Sequence, residues 1–204
     1  MQFDHFAKTW DTEKRINRAK IIASEIANHI PFGIKLSAME FGCGTGLISF
    51  NLHDKLKEIT LVDSSEGMID VLNTKIKNYQ INNMYPCLID LQKENTLNKT
   101  FDLIYHSMVL HHIPDSKAIM KAFYQLLNHD GILCIVDLDK EDGSFHRDYP
   151  DFNGHNGFLQ EELKIILTNA GFMDVVSKTF YTDVKLIEGQ EINYSLFIMT
   201  AKKR

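Results

Sequence analysis

Two hydrophobic rhythms alternate along this chain. Short apolar runs of strand length recur at 36–41, 59–62, 85–89, 102–106 and 132–136, the last opened by Gly131. Between them, apolar residues return at helical spacing. In the segment up to about His29, Ile16, Ala19, Lys20, Ala23 and Ala27 share this period, and Pro31-Phe32-Gly33 ends it. Residues 47–53 read as a first crossover helix and 66–78 as a second. A third covers 117–127, with Ile119, Met120, Phe123 and Leu127 on its apolar side, and a fourth covers 159–170, stopped by Gly171. Residues 175–184 and 195–201 read as a closing pair of strands. Strands that alternate with helices predict an α/β fold with a mostly parallel sheet covered on both faces. Residues 139–156 form a polar loop, and loops of that length in compact domains are usually functional or disordered.

One junction in this pattern carries chemistry. Met39-Glu40-Phe41-Gly42-Cys43-Gly44-Thr45-Gly46 reads as a strand end, an acid and a glycine-rich turn into the next element. Glycine tolerates unusual dihedrals and lets a ligand approach the backbone closely. An acid, Asp63, closes the next strand, and the pair is the signature of a nucleoside-binding doubly wound fold. The spacing is G-x-G-x-G, not the G-x-G-x-x-G of a dinucleotide site, and Glu40 would repel a phosphate. A ligand with adenine, ribose and a cationic amino acid end suits the site better. S-adenosylmethionine has all three and a sulfonium. A nucleotide-dependent oxidoreductase is disfavoured on the same grounds.

Composition narrows the class further. The chain has 204 residues, enough for one domain with a sizeable core. Its formal net charge of -5 offers no general attraction to nucleic acid, and the basic tail Lys202-Lys203-Arg204 is short. Cys43, Cys87 and Cys134 lie far apart on or beside predicted strands, which reads as reduced, buried thiols of a cytoplasmic protein. The polar N-terminus suggests no signal peptide, and no apolar run is long enough to span a bilayer.

Five pieces in order carry a family resemblance: Glu40 to Gly46; Val62-Asp63-Ser64-Ser65-Glu66-Gly67-Met68; Leu88-Ile89-Asp90-Leu91; the stretch from Phe101 to Pro114; and Leu126-Leu127-Asn128-His129-Asp130-Gly131-Ile132-Leu133. The chain resembles the class I S-adenosylmethionine-dependent methyltransferases, in particular the small ubiquinone/menaquinone methyltransferase-like group, over nearly its whole length. The resemblance implies a doubly wound, Rossmann-like sheet of seven strands, mostly parallel with an antiparallel C-terminal hairpin strand. It implies a single domain over 1–204, with 1–30 as a helical lid and 139–158 as a substrate loop. S-adenosylmethionine is the implied cofactor. Asp63 would accept from the ribose hydroxyls, the competing reading being a helix cap. Asp90 and Leu91 would meet the adenine, with Met68 over one of its faces or simply in the core. Glu40 would orient the methionine end. Arg15 or Arg18, with Arg18 preferred, would pair with the cofactor carboxylate or else be solvated, and Trp10 would lie near the cofactor or be buried. Gly42, Cys43, Gly44, Ser64, His106 and Ser107 complete the implied cofactor set.

Methyl transfer from a sulfonium is an in-line displacement, so the protein must align the nucleophile and, where needed, remove its proton. An Asn/Asp-Pro-Pro-aromatic motif of some amino-group methyltransferases is replaced here by His106-Ser107-Met108-Val109, which argues against nucleobase amines. His111 and His112 follow as candidate general bases, the alternative being a loop-closing role. The long loop offers His146, Arg147, Tyr149, Asp151 and Phe152, with His155 and Phe158 just beyond, as the lining of a polar pocket. Asp137 and Asp139 add possible metal ligands, but the spacing matches no metal motif and no metal is assigned. The leading expectation is methylation of a small molecule. Alternatives are a non-catalytic cofactor-binding protein, or methylation of RNA or protein.

Overall fold

The strands run in chain order Ser37–Phe41 (β1), Glu58–Asp63 (β2), Met84–Leu88 (β3), Phe101–Ser107 (β4), Leu127–Leu138 (β5), Met173–Ile187 (β6) and Gln190–Lys202 (β7). The α-helices are Glu13–His29 (α1), Glu66–Asn78 (α2), Ser116–Leu126 (α3) and Gln160–Asn169 (α4). The computed structural model describes residues 2–31, 35–93, 97–149 and 151–204. The strands join in one seven-stranded sheet, ordered β3-β2-β1-β4-β5-β7-β6. The pairs among β1 to β5 are parallel, and β7 lies antiparallel to both β5 and β6. This is the expected doubly wound sheet with its antiparallel hairpin.

The strands are apolar on both sides because both faces are covered. On β5, Ile132, Cys134, Val136 and Leu138 join one core cluster, while Leu133 and Ile135 join the other. The first cluster takes Ala19, Ile22, Ala23 and Ile26 of α1 with Ile69 and Leu72 of α2. The second takes Ile119, Met120, Phe123 and Leu126 of α3 with Leu163 and Leu167 of α4. Three of the four helix starts have a side-chain cap. Thr12, Ser65 and Asp115 accept backbone N–H bonds from Arg15, Met68 and Ala118 at the heads of α1, α2 and α3. Gly171, at φ +104°, supplies the left-handed turn after α4.

Two expectations need correction. Residues 47–53 do not form a crossover helix: only short 3-10 turns appear, at Ser49–Asn51 and His53–Lys55. Asn51 and Leu52 N–H bond three residues back, to Ile48 and Ser49. The crossing is too short to repay helix nucleation, and Ser49 is drawn aside by a bond to Glu40. Leu52 and Leu56 still bury their side chains. The closing strands are longer than expected, because Glu188 and Gly189, at φ +50° and +79°, make a two-residue turn that keeps them paired as far as Ile187 and Gln190. Helix α1 ends at His29 as predicted, although Phe32 and Gly33 of the expected stop lie outside the described residues.

The chain leaves β1 toward β2 and β3, then returns to place β4 on the other side of β1. The carboxyl ends of β1 and β4 therefore diverge, and such switch points are where doubly wound sheets hold ligands.

Candidate active site

A cavity of about 450 Å³ opens at this switch point. Its floor is the glycine turn. Gly42, Gly44 and Gly46 have φ of +64°, +52° and +81°, a conformation that suits glycine. The glycines differ in what surrounds them. A Cβ on Gly42 would fall 2.5 and 2.6 Å from the Val109 methyls, so that glycine lets the turn pack on the neighbouring loop. A Cβ on Gly44 would meet nothing closer than Trp10 Nε1 at 3.8 Å and Met68 Sδ at 3.9 Å. Gly44 thus presents bare backbone to the cavity.

Asp63 ties this turn to the next one. Gly44 N–H donates to Asp63 Oδ2 at 2.7 Å and Ser65 N–H donates to Oδ1 at 2.9 Å. Asp63 is not the helix cap, because Ser65 takes that role. Burial raises the Asp63 pKa against these two backbone donors. Each oxygen keeps lone-pair capacity toward the cavity that Asp63 lines.

Glu40 faces Tyr105 across the switch point, in register between β1 and β4. It is 2% exposed and also lines the cavity. The Ser49 hydroxyl donates to its Oε2. That hydroxyl has one proton, so Tyr105 OH, 2.5 Å away, is the donor to Ser49. Burial pushes the Glu40 pKa up to about 8, against the Ser49 bonds. Glu40 is therefore mostly protonated at neutral pH and would ionise readily beside a cation. Neither Ser49 nor Tyr105 was legible as a site residue, since Ser49 meets Glu40, and Tyr105 meets Ser49, only in the folded chain.

Met68, Ile89, Asp90, Leu91 and Ser64 line the wall beyond β2 and β3. Asp90 accepts from Gln92 N–H at 3.1 Å and pairs with Lys93 at 3.0 Å. The opposite wall comes from the N-terminal segment, a 3-10 stretch Gln2–Thr9 followed by α1. Trp10, Arg15 and Arg18 all reach the cavity. The Arg15 guanidinium lies 3.9 Å over the Trp10 ring and donates to Trp10 O at 3.1 Å. Arg18 donates to Tyr194 OH at 3.1 Å, so it has a structural partner besides its cavity position. The segment is clasped to the site. Asp11 accepts from Thr45 and pairs with Lys75 at 2.7 Å, while Asp4 accepts from Ser65 Oγ at 2.6 Å and Gly67 N–H at 3.1 Å.

The β4 end holds the candidate chemistry. Ser107 lines the cavity, but His106 does not. Strand alternation sends His106 to the opposite side, where it is fully buried between Phe41 and Phe123, at centroid distances of 6.3 and 5.8 Å. Burial pulls its pKa down to about 4, and neither ring nitrogen finds a hydrogen-bond partner among the described residues. His106 is therefore a core residue, contrary to its expected place beside the cofactor. Of the paired histidines, only His112 lines the cavity. His111 is 1% exposed, and its Nδ1 lies 2.5 Å from Asp137 Oδ1. Asp137 also accepts from Leu110 N–H and Leu138 N–H, both at 2.8 Å. His111 holds the Asp137 carboxyl down against its burial. Burial, reinforced by His111 and His146, pulls His112 down to about 3.

The long loop packs directly on this end. His155 N–H donates to His111 O at 2.7 Å, and the His155 ring meets Ile113 O at 3.0 Å. Asp151, Phe152 and Asn153 complete the cavity wall. The structure thus unites Trp10, Arg18, Glu40, Gly42, Cys43, Gly44, Asp63, Ser64, Met68, Asp90, Leu91, Ser107 and His112 around one space, and leaves out His106 and His111.

Residues 13–177 match a family model described as a methyltransferase domain. An uncharacterized methyltransferase of Schizosaccharomyces pombe is 31% identical over 149 residues, covering 66% of this chain and 52% of its own length. A ubiquinone biosynthesis O-methyltransferase of Coxiella burnetii is 33% identical over 102 residues, covering 50% of this chain and 43% of its own length. The chain thus spans about half the length of these two relatives. A S-adenosylmethionine-dependent methyltransferase of Thermotoga maritima, a possible histamine N-methyltransferase, superposes with a TM-score of 0.70 over 99% of this chain and 98% of its own, at 16% identity, and shares the fold. The chain belongs to the methyltransferase-domain family, within the class I S-adenosylmethionine-dependent methyltransferases that its motifs resemble. Among the described residues, no helix is long and apolar enough to cross a membrane.

Proposed function

We propose that this chain transfers the methyl group of S-adenosylmethionine to a small-molecule acceptor. The observation that carries this reading is the bare Gly44 backbone at the switch point, flanked by Asp63 and the buried Glu40. In this reading Asp63 accepts from the ribose hydroxyls, and Asp90 with Leu91 meets the adenine. Glu40 ionises beside the cofactor ammonium. Arg15 and Arg18 stand on the side from which a carboxylate would be paired. Methyl transfer then needs an acceptor aligned near Ser107 and His112. His112 is the imidazole of the pair that faces the cavity, so it is the candidate base, and its burial lowers its basicity. The His111 ring, held by Asp137, packs 4.2 Å from the His112 ring.

The acidic net charge supports a metabolite acceptor over nucleic acid, as do the named substrates of methyltransferases sharing the fold, such as phosphoethanolamine in a Haemonchus contortus enzyme. A methyl-release screen across pooled small metabolites, with S-adenosylmethionine as donor, tests the reading. Turnover that persists on a purified component and falls by roughly 10²-fold or more in His112→Ala supports both acceptor class and base. Methyl incorporation only into RNA or protein would contradict the acceptor class.

A further inference from the structure

Three imidazoles crowd one buried carboxylate at the edge of the cavity. His111, His112 and His146 each bring one ring nitrogen within 4.8 Å of the others. Their ring centroids are 4.2, 5.0 and 5.4 Å apart. We propose that these three histidines bind a divalent transition-metal ion, with Asp137 orienting His111 from behind.

Several independent features point the same way. Asp137 accepts a hydrogen bond from His111 Nδ1–H in the tautomer that leaves Nε2 as the lone-pair nitrogen. A carboxylate behind a histidine is the usual support of a metal ligand. Asp137 is itself held by two backbone N–H groups, so the arrangement is rigid. His146 is 6% exposed, and its Nδ1 finds no hydrogen-bond partner among the described residues. Ligation would relieve that buried polar group. Two ligands follow β4 and the third comes from the long loop, and His155 latches that loop to His111 O. Tetrahedral zinc with bonds of about 2.0–2.1 Å needs its nitrogens about 3.4 Å apart, so with His111 held by Asp137 the His112 and His146 rings would turn inward on binding. Three imidazole nitrogens favour zinc, cobalt, nickel or ferrous iron over magnesium or calcium. A three-ligand set also leaves a coordination position open, as in catalytic sites. The competing arrangement is a plain aromatic cluster, for His146 stacks on Phe152 at 3.8 Å.

Because His112 lines the cavity, the ion deepens the methyltransferase reading, and this part rests on it. The acceptor would carry a hydroxyl. With His112 then serving as a ligand in place of the base, a hydroxyl bound to the ion would lose its proton to solvent. The oxygen lone pair then forms the O–CH3 bond while the S–CH3 bond breaks, and its electrons stay on sulfur to give the neutral thioether.

The test uses tag-free full-length chain stripped by chelator, titrated with Co²⁺ by visible absorption and with Zn²⁺ by calorimetry. One ion per chain at micromolar or tighter affinity, with a tetrahedral cobalt spectrum, is the expected result. His146→Ala and His112→Ala should each lower affinity by about 100-fold. A folded wild-type chain that takes up neither ion, or affinity unchanged in both variants, overturns the site. S-adenosylmethionine is titrated into the same samples. Cofactor binding without metal binding overturns only the metal site, whereas metal binding without cofactor binding overturns only the methyltransferase reading.

Discussion

Gly42 and Gly44 share one left-handed turn, yet a side chain on each meets different neighbours. Gly42→Ala should destabilise the fold, because its methyl collides with Val109. Gly44→Val should cost the fold only backbone strain, about 1–3 kcal/mol, and should abolish cofactor binding by filling cavity space. Melting curves and cofactor titration separate the two, and a Gly44→Val protein that binds within about twofold of wild type would show that the cofactor sits elsewhere. Asp63 has a double role. Asp63→Ala removes the acceptor of Gly44 and Ser65 N–H as well as the proposed ribose acceptor. It should lower affinity roughly ten- to a hundredfold and also cost on the order of 1–3 kcal/mol of stability. Glu40 adds a pH signature. Its folded-state pKa is raised to about 8 from an ordinary 4.5, so the native chain holds a proton that the unfolded chain has released. Stability from this group is full below about 4.5 and falls as pH rises toward about 8. Denaturant unfolding across that range should show the loss in wild type but not in Glu40→Gln, in the cofactor-free protein. A pH slope identical in the variant would mean that Glu40 is paired in some other way.

The N-terminal segment is two elements with different work. Helix α1 buries Ala19, Ile22, Ala23 and Ile26 in the core, so removing it would strip the sheet. The preceding residues instead clasp the site through Asp4 and Asp11. Deleting residues 1–11 should therefore leave a folded chain, a few degrees less stable, whose cofactor affinity falls at least about tenfold. Unchanged affinity would remove the lid role, and far-ultraviolet circular dichroism checks the fold. Elements with a strong local period were legible in the sequence: α2 and α3 lie within a residue of their expected bounds, because their apolar stripes face a covered sheet. Residues 47–53 were not, because their apolar side chains bury themselves without helical hydrogen bonds. The length of the closing hairpin was not legible either. It depends on Glu188 adopting a positive φ that no local signal beside Gly189 announces.

At the scale of the whole molecule, the sheet order places every part of the site at one switch point. The parts written in continuous sequence were legible: the glycine turn, Asp63, Asp90 and Ser107. The parts made by long-range contact were not. Glu40 meets Ser49 through the fold of the turn after β1, Ser49 meets Tyr105 through the pairing of β1 with β4, and His111 meets Asp137 through that of β4 with β5. His106 looked like a site residue because its neighbours are, and strand alternation turns it into the core. The central claim is that this cavity is the seat of S-adenosylmethionine. Calorimetric titration of the full-length chain with S-adenosylmethionine, its demethylated product and NAD tests that claim most directly. The account predicts one site for each of the first two, with Kd near the micromolar range or about −8 kcal/mol, and no heat from NAD. Binding of NAD in their place, or no binding of either sulfur compound to the folded chain, would contradict it.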